Sequence, residues 1–233
     1  MGSLSSLAPP RSRPRGFFMP SPQNRVSFLV DGFNLYHSLV EAANDLKAST
    51  KWLDLRSLCQ SYLSVLGPGA VLESICYFSA LAKHIDARRP GTTLRHRNYV
   101  QCLQSTGVIA ELGRFKYKSV HSPSCQIESP HYEEKETDVA ISVRMLELFF
   151  RDKADTVVLV SGDTDLSPAV QTAQNLFPTK EICFAFPYKR KNSELAKMVA
   201  KHFRIRSNQF LKHQLPNPVV LPSGREIQKP REW

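Results

Sequence analysis

The run Val26-Ser27-Phe28-Leu29-Val30 is followed at once by Asp31-Gly32-Phe33-Asn34, and this junction decides the fold. Four of its first five residues are apolar, with β-branched Val26 and Val30 at the ends, which reads as a short buried strand. Beyond Asn34, the residues Leu35, Leu39, Ala42, Ala43 and Leu46 recur at helical spacing. A strand therefore turns directly into a helix across Asp31 and Gly32. A second junction of the same kind follows Thr156–Val160, the clearest buried strand in the chain, where Ser161-Gly162-Asp163-Thr164-Asp165 leads toward a helix. Ser167 is read as the cap of that helix and Pro168 as its first residue.

Working outward, Asp54 is an N-cap signal for a helix that ends at Gly67. Leu72–Phe78 reads as a strand, Thr93–Ser105 as a helix stopped by Gly107, and Val108–Leu112 as a strand. Residues 119–134 carry Pro123 and Pro130 and read as a loop. Thr137 to about Arg151 is apolar nearly all round, the pattern of a buried helix, with Phe149 and Phe150 assigned to the core. Glu181–Phe186 reads as a strand and Ser193–Phe203 as a helix. Strands alternating with helices predict an α/β protein: a three-layer α/β/α sandwich around a central, mainly parallel sheet. The ends differ. Residues 1–24, rich in Ser, Pro and Arg, are expected to form a disordered basic leader, residues 25–213 the domain, and residues 214–233 a Pro-rich extended tail.

The chain has 233 residues, 42% of them hydrophobic and 22% charged, enough apolar content for a packed core. No apolar run approaches the ~20 residues that span a bilayer, so no membrane partner is expected. Five cysteines without a CxxC pair argue against a disulfide framework and fit a reducing, cytoplasmic setting. The net charge of +10 is uneven. Residues 1–25 and 203–233 contribute +4 each, residues 83–118 carry +6, and residues 119–165 carry −6. A basic segment beside an acidic one is expected where a polyanion is held next to a metal; solvated faces give the same pattern.

In open parallel sheets, ligands bind outside the carboxyl ends of the strands. Asp31 lies just past one strand, Asp163 and Asp165 just past another, and Asp138 opens a helix in Lys135-Glu136-Thr137-Asp138. Each has an ordinary explanation when taken alone. Asp31 suits a turn before Gly32, the SGDTD stretch suits an Asx-capped turn, and Asp138 suits a first helical turn. Together they predict carboxylates converging on one edge, where like charges raise each other's pKa until a cation intervenes. Oxygen ligands without Cys or His favour Mg²⁺ or Mn²⁺. Such ions activate water against a phosphodiester. Asn34 and Ser161 are candidates to orient water or ligand, and Lys135 to neutralise a phosphate.

The segments VDGFNLY (30–36), EEKETDVAISVRML (133–146) and VLVSGDTDLSPAV (158–170) resemble the NYN domain family, PIN-like proteins of the LabA type, over roughly residues 25–215. The resemblance implies a PIN-like, Rossmannoid fold and a metal-dependent ribonuclease. It implies that Asp31, Asp138 and Asp163 bind the metal, with Asp165 as a further ligand or supporting acid, and it matches Asn34 and Lys135 to family positions. Some relatives act in gene regulation, and a few carry a hydroxylase assignment in pyridine catabolism.

Lesser signals remain open between two readings. Lys189 and Arg190, before the Ser193 helix, suit a phosphate grip or an exposed turn. Arg95 and Arg97, near Tyr99, suit single-stranded RNA or plain helix surface. His121, Cys125 and His131 share one loop but lack an evident fourth ligand for zinc. The expected function is RNA hydrolysis at the Asp cluster, with single-stranded RNA as partner and a homodimer as a further possibility. A non-catalytic RNA-binding module and a small-molecule hydroxylase stand as alternatives. No GxGxxG fingerprint supports a dinucleotide enzyme.

Overall fold

The strand β1 (Asn24–Asp31) runs up the middle of a seven-stranded sheet in the computed structural model, which describes residues 23–121 and 128–233, with only the backbone path for 114–121 and 128–135. The other strands are β2 (Ala70–Ala80), β3 (Ile109–His121), β4 (Glu128–Lys135), β5 (Thr156–Val160), β6 (Glu181–Phe186) and β7 (Lys201–Arg204). Their order is β4-β3-β2-β1-β5-β6-β7. Every pair is parallel except β3–β4. The chain winds outward from β1 to β2 and β3, then returns to build β5, β6 and β7 on the other side. β1 and β5 are thus adjacent where the winding reverses, the position at which open parallel sheets form a ligand-binding crevice.

Period-two alternation in β1 separates the two layers. Val26, Phe28 and Val30 face one core, under α1 (Gly32–Leu46), α2 (Leu55–Ser61), α3 (Thr92–Ser105) and α7 (Ser207–Lys212). Leu29 faces the other, under α4 (Thr137–Phe150), α5 (Ser167–Leu176) and α6 (Ser193–Met198). This is the expected three-layer α/β/α sandwich.

Several elements differ from the sequence reading. Residues 119–121 and 128–134 belong to an antiparallel hairpin, not a loop, because β3 and β4 satisfy each other's backbone groups in register from Arg114↔Lys135 to His121↔Glu128. The segment after Ser193 leaves the helix at Met198, and 201–204 becomes an edge strand on β6. The Asp54 helix stops at Ser61, followed by a 3-10 turn over Leu63–Leu66. Ser167 does not cap α5; its hydroxyl is buried without a partner. Helix α4 is not buried all round: it lies on the sheet by Ile141, Met145, Leu148 and Phe149, while Val139, Val143 and Phe150 face outward, Phe150 being 81% exposed.

The segment from Gln214 on folds back onto the body rather than simply extending. Leu215, Val219 and Ile227 are buried in the first core, and β8 (Val219–Val220) pairs with β9 (Glu226–Ile227). Trp52 Nε1 donates to Pro216 O at 3.0 Å, and the Trp52 and Trp233 rings meet edge to face at 6.0 Å. Leu215 therefore supports the domain as a core residue does. The Leu215→Ala variant is expected to lose about 2–4 kcal/mol in urea unfolding. A loss below about 0.5 kcal/mol would make the segment peripheral.

Candidate active site

Asp31 is the last residue of β1 and lies two positions beyond Leu29, so its side chain shares the α4 face. Ser161 follows Leu159 by the same two positions on the neighbouring strand line. The consequence is direct: Ser161 Oγ donates to Asp31 Oδ2 at 2.8 Å, in a site where Asp31 is 4% and Ser161 1% exposed. The other oxygen, Asp31 Oδ1, accepts from Asn34 N at 2.9 Å and so caps α1. Asn34 Oδ1 in turn accepts from Gly162 N at 3.2 Å. Asn34 and Ser161, expected to orient a ligand, are thus found clipping the start of α1 to the loop after β5.

That loop is tightly set. Asp163 N donates to Ser161 Oγ at 3.1 Å, and Asp163 Oδ1 accepts from Asp165 N at 3.1 Å, capping a 3-10 turn over Thr164–Leu166. Close approach explains both flanking glycines. A Cβ on Gly162 would lie 2.1 Å from Arg190 O, and one on Gly32 would lie 2.5 Å from Phe78 O. Asp163 is half-buried and Asp165 exposed.

Asp138 arrives from a different direction. Glu136 takes a left-handed φ of 81° between β4 and α4, and Asp138 follows in the first helical turn. Its carboxyl is pushed up to about 6, first by burial and then by the charges of Asp163, Asp31 and Asp165. Asp31, Asp163 and Asp165 therefore lie close enough to act on Asp138 at one edge of the sheet. Their chemistry, carboxylate oxygen throughout, suits a hard cation such as Mg²⁺ or Mn²⁺. Among the described residues, no three His, Cys, Asp or Glu side chains are already gathered as a ligand group.

The basic candidates fall differently. Lys189 Nζ lies 2.5 Å from Asp45, and Arg190 is ion-paired with Glu41, so both are engaged by α1. Arg95 donates to Pro90 O and Thr92 Oγ1, each at 3.2 Å, and lies 3.7 Å from Glu232; Arg97 is exposed. The Lys135 side chain and Cys125 lie outside the described residues. The described cysteines are buried free thiols. Two rings that the sequence reading did not single out, Phe33 and Tyr36, stand exposed on α1 beside the acids. Their signal was present: both lie off the Leu35, Leu39, Ala42 spacing that marks the buried face.

With this edge in place, comparison with known proteins is informative. The NYN domain model matches residues 25–207, which takes in every acid of the cluster. The chain belongs to the NYN domain family. NYN domains form part of a PIN-like, nuclease-type superfamily. In fold, the NYN domain here is similar to a Vibrio parahaemolyticus protein of unknown function, with a TM-score of 0.54, 17% identity, and coverage of 84% of this chain and 100% of that one. In sequence it is similar to the 6-hydroxy-3-succinoylpyridine 3-monooxygenase HspA of Pseudomonas putida, 26% identical over 90% of this chain and 75% of the relative. No helix among the described residues is long and apolar enough to cross a membrane.

The state of Asp138 has a measurable consequence. Because its folded value is raised, the folded form holds the proton more tightly than the unfolded chain does. The resulting stabilisation is complete below the ordinary carboxylate value and is lost as pH rises through about 6. Asp138→Asn, neutral throughout, is expected to match the parent at pH ~4 and to exceed it by about 1 kcal/mol at pH ~8 in EDTA, after allowance for solvent screening. Urea unfolding at both pH values checks this. Equal pH dependence in parent and variant would mean that the carboxyl is not repelled.

Proposed function

We propose that the protein is a metal-dependent ribonuclease that hydrolyses RNA phosphodiester bonds at the Asp cluster. The observation that carries this reading is the gathering of acids at the β1/β5 edge, where Asp138 is raised first by burial and then by the charges of Asp163, Asp31 and Asp165. Membership of the NYN domain family supports it. In the proposed site Asp31, Asp138 and Asp163 hold Mg²⁺ or Mn²⁺, and Asp165 stands at the solvent side. A bound ion of this kind would supply charge neutralisation on the phosphodiester and a water of lowered pKa.

The chain's own residues have distinct tasks. Asp31 is immobilised by Ser161 and Asn34, so one carboxylate is held in place before any ligand arrives. Asp163 and Asp165 sit on a turn capped by Asp163, whose Oδ1 accepts from Asp165 N, while Asp163 N donates to Ser161 Oγ, so the turn is tied to the residue that also holds Asp31. Arg95 and Arg97, on the helix that follows β2, supply positive charge for the RNA backbone, and Lys135 is assigned the same task from its place in the sequence. RNA is the proposed partner, in its single-stranded form.

A second reading has a specific observation in its favour, the similarity to a pyridine monooxygenase. In that reading the crevice takes a small aromatic substrate, and consumption of reduced nicotinamide with a hydroxypyridine would reveal it. The Asp cluster favours the ribonuclease. Purified protein is expected to cleave single-stranded RNA with Mn²⁺ or Mg²⁺, to stop in EDTA, and to lose about hundredfold or more in rate in Asp163→Asn without unfolding. Cleavage that persists in EDTA, or undiminished in Asp163→Asn, would defeat the reading.

A further inference from the structure

Helix α1 begins one residue after Asp31, and its first turn carries an aromatic surface that the core does not use. Phe33 is 51% and Tyr36 44% exposed, against a buried face formed by Leu35, Leu39 and Ala42. They are three residues apart, so they are neighbours on one side of the helix, their Cα atoms ~5 Å apart. His37 braces Phe33 edge to face, with ring centroids 4.5 Å apart at an interplanar angle of 82°. A braced, exposed ring loses little rotamer freedom on binding a flat partner.

The rim of this surface is cationic. Lys51 Nζ lies 5.6 Å from the Tyr36 ring centroid. Its pKa is lowered first by burial and then by the charges of Arg89 and Arg95, so both guanidinium groups lie near this lysine. Acids stand beside them as well: Glu232, 3.7 Å from Arg95 and itself 65% exposed, and Asp86, whose carboxyl is lowered first by its hydrogen bonds to Thr93 and in smaller part by the charge of Arg95. Cations beside half-exposed aromatic rings match a ligand that brings negative charge and flat faces together. Single-stranded nucleic acid has both; in a duplex the base faces are already stacked on one another.

We propose that Phe33 and Tyr36 form a stacking platform for bases of single-stranded RNA, with the backbone crossing the rim made by Lys51, Arg89 and Arg95. The platform rests on the ribonuclease reading, since it lies on the turn that follows Asp31 and so would present a backbone to the Asp cluster. It adds to that reading the residues that select unpaired bases.

The test is binding of a fluorescent oligoadenylate to the full chain in EDTA, followed by anisotropy across a salt series. Replacing both rings (Phe33→Ala with Tyr36→Ala) is expected to weaken binding about tenfold or more with an unchanged salt slope. Lys51→Gln is expected to lower the slope by ~0.7, the share of one phosphate contact on a single strand. Phe33→Trp keeps parental affinity. An abasic strand of equal length binds the parent as weakly as oligoadenylate binds the double variant, and this arm needs no substitution if the double variant fails to fold. Equal affinity of parent and double variant, or of abasic and adenylate strands, would overturn the platform, as would duplex RNA competing as well as single strand. Base-dependent binding without cleavage in Mn²⁺ would remove the ribonuclease reading and leave the platform. Cleavage and binding both unaltered in the double variant would remove the platform alone.

Discussion

A buried carboxylate at the end of the central strand organises this molecule. Asp31 is withdrawn from water, which is unfavourable for a charge unless donors replace the lost solvent. Two do so: the backbone N–H of Asn34 and the hydroxyl of Ser161. Hydrogen bonds to a charged group contribute about 1.5–3 kcal/mol each. Here each also joins different parts of the chain. The first starts α1, and the second crosses from β1 to the residue after β5. Asn34 closes the loop by accepting from Gly162. The parallel pairing of β1 with β5 makes this possible, because it brings the two following loops to the same edge.

The two ends of the sheet use charge in opposite ways. At the amino end of β1, Arg25 and Lys180 share Asp152 and Asp155, and the Arg25 hydrogen bond holds the Asp155 carboxyl far below the usual carboxylate range. There every charge has an opposite neighbour, and the network ties β1 to the loops before β5 and β6. At the carboxyl end, Asp138 is raised by burial and by the charges of Asp163, Asp31 and Asp165. Matched charge secures the scaffold, whereas unmatched charge marks the place where a ligand has something to neutralise. The −6 of residues 119–165 concealed this difference, since Asp152 and Asp155 count toward it but sit at the opposite end from the cluster.

Membership of the NYN domain family sets this chain within a nuclease-type superfamily, while one curated relative is a pyridine monooxygenase. A shared scaffold accommodates both because the sheet edge only presents side chains; what they do depends on which are present and how they are charged. In this chain the edge is acidic, its acids belong to the end of β1, to α4 and to the loop after β5, and α1 adds exposed rings with cations near them. Phosphodiester chemistry on an unpaired strand uses all of these features at once.

Local signals were enough for much of the fold and for the acids. The strand at 26–30, the strand at 156–160 and the cap at Asp54 are read from residues a few positions apart, and such short-range preferences survive in the folded chain. The antiparallel pairing of 114–121 with 128–135, the edge strand at 201–204 and the return of 214–233 onto Trp52 were not legible. Each depends on a partner distant in sequence, and pairing with that partner overrides local preference. The sequence by itself determined that aspartates follow strands at the places where a parallel α/β sheet binds ligands. Only the tertiary structure decided which acids meet, because adjacency of β1 and β5 and the angle of α4 are properties of the whole sheet. It also decided which cations remain available: α1 engages Lys189 and Arg190 through Asp45 and Glu41, and Lys51 is brought to the exposed rings instead.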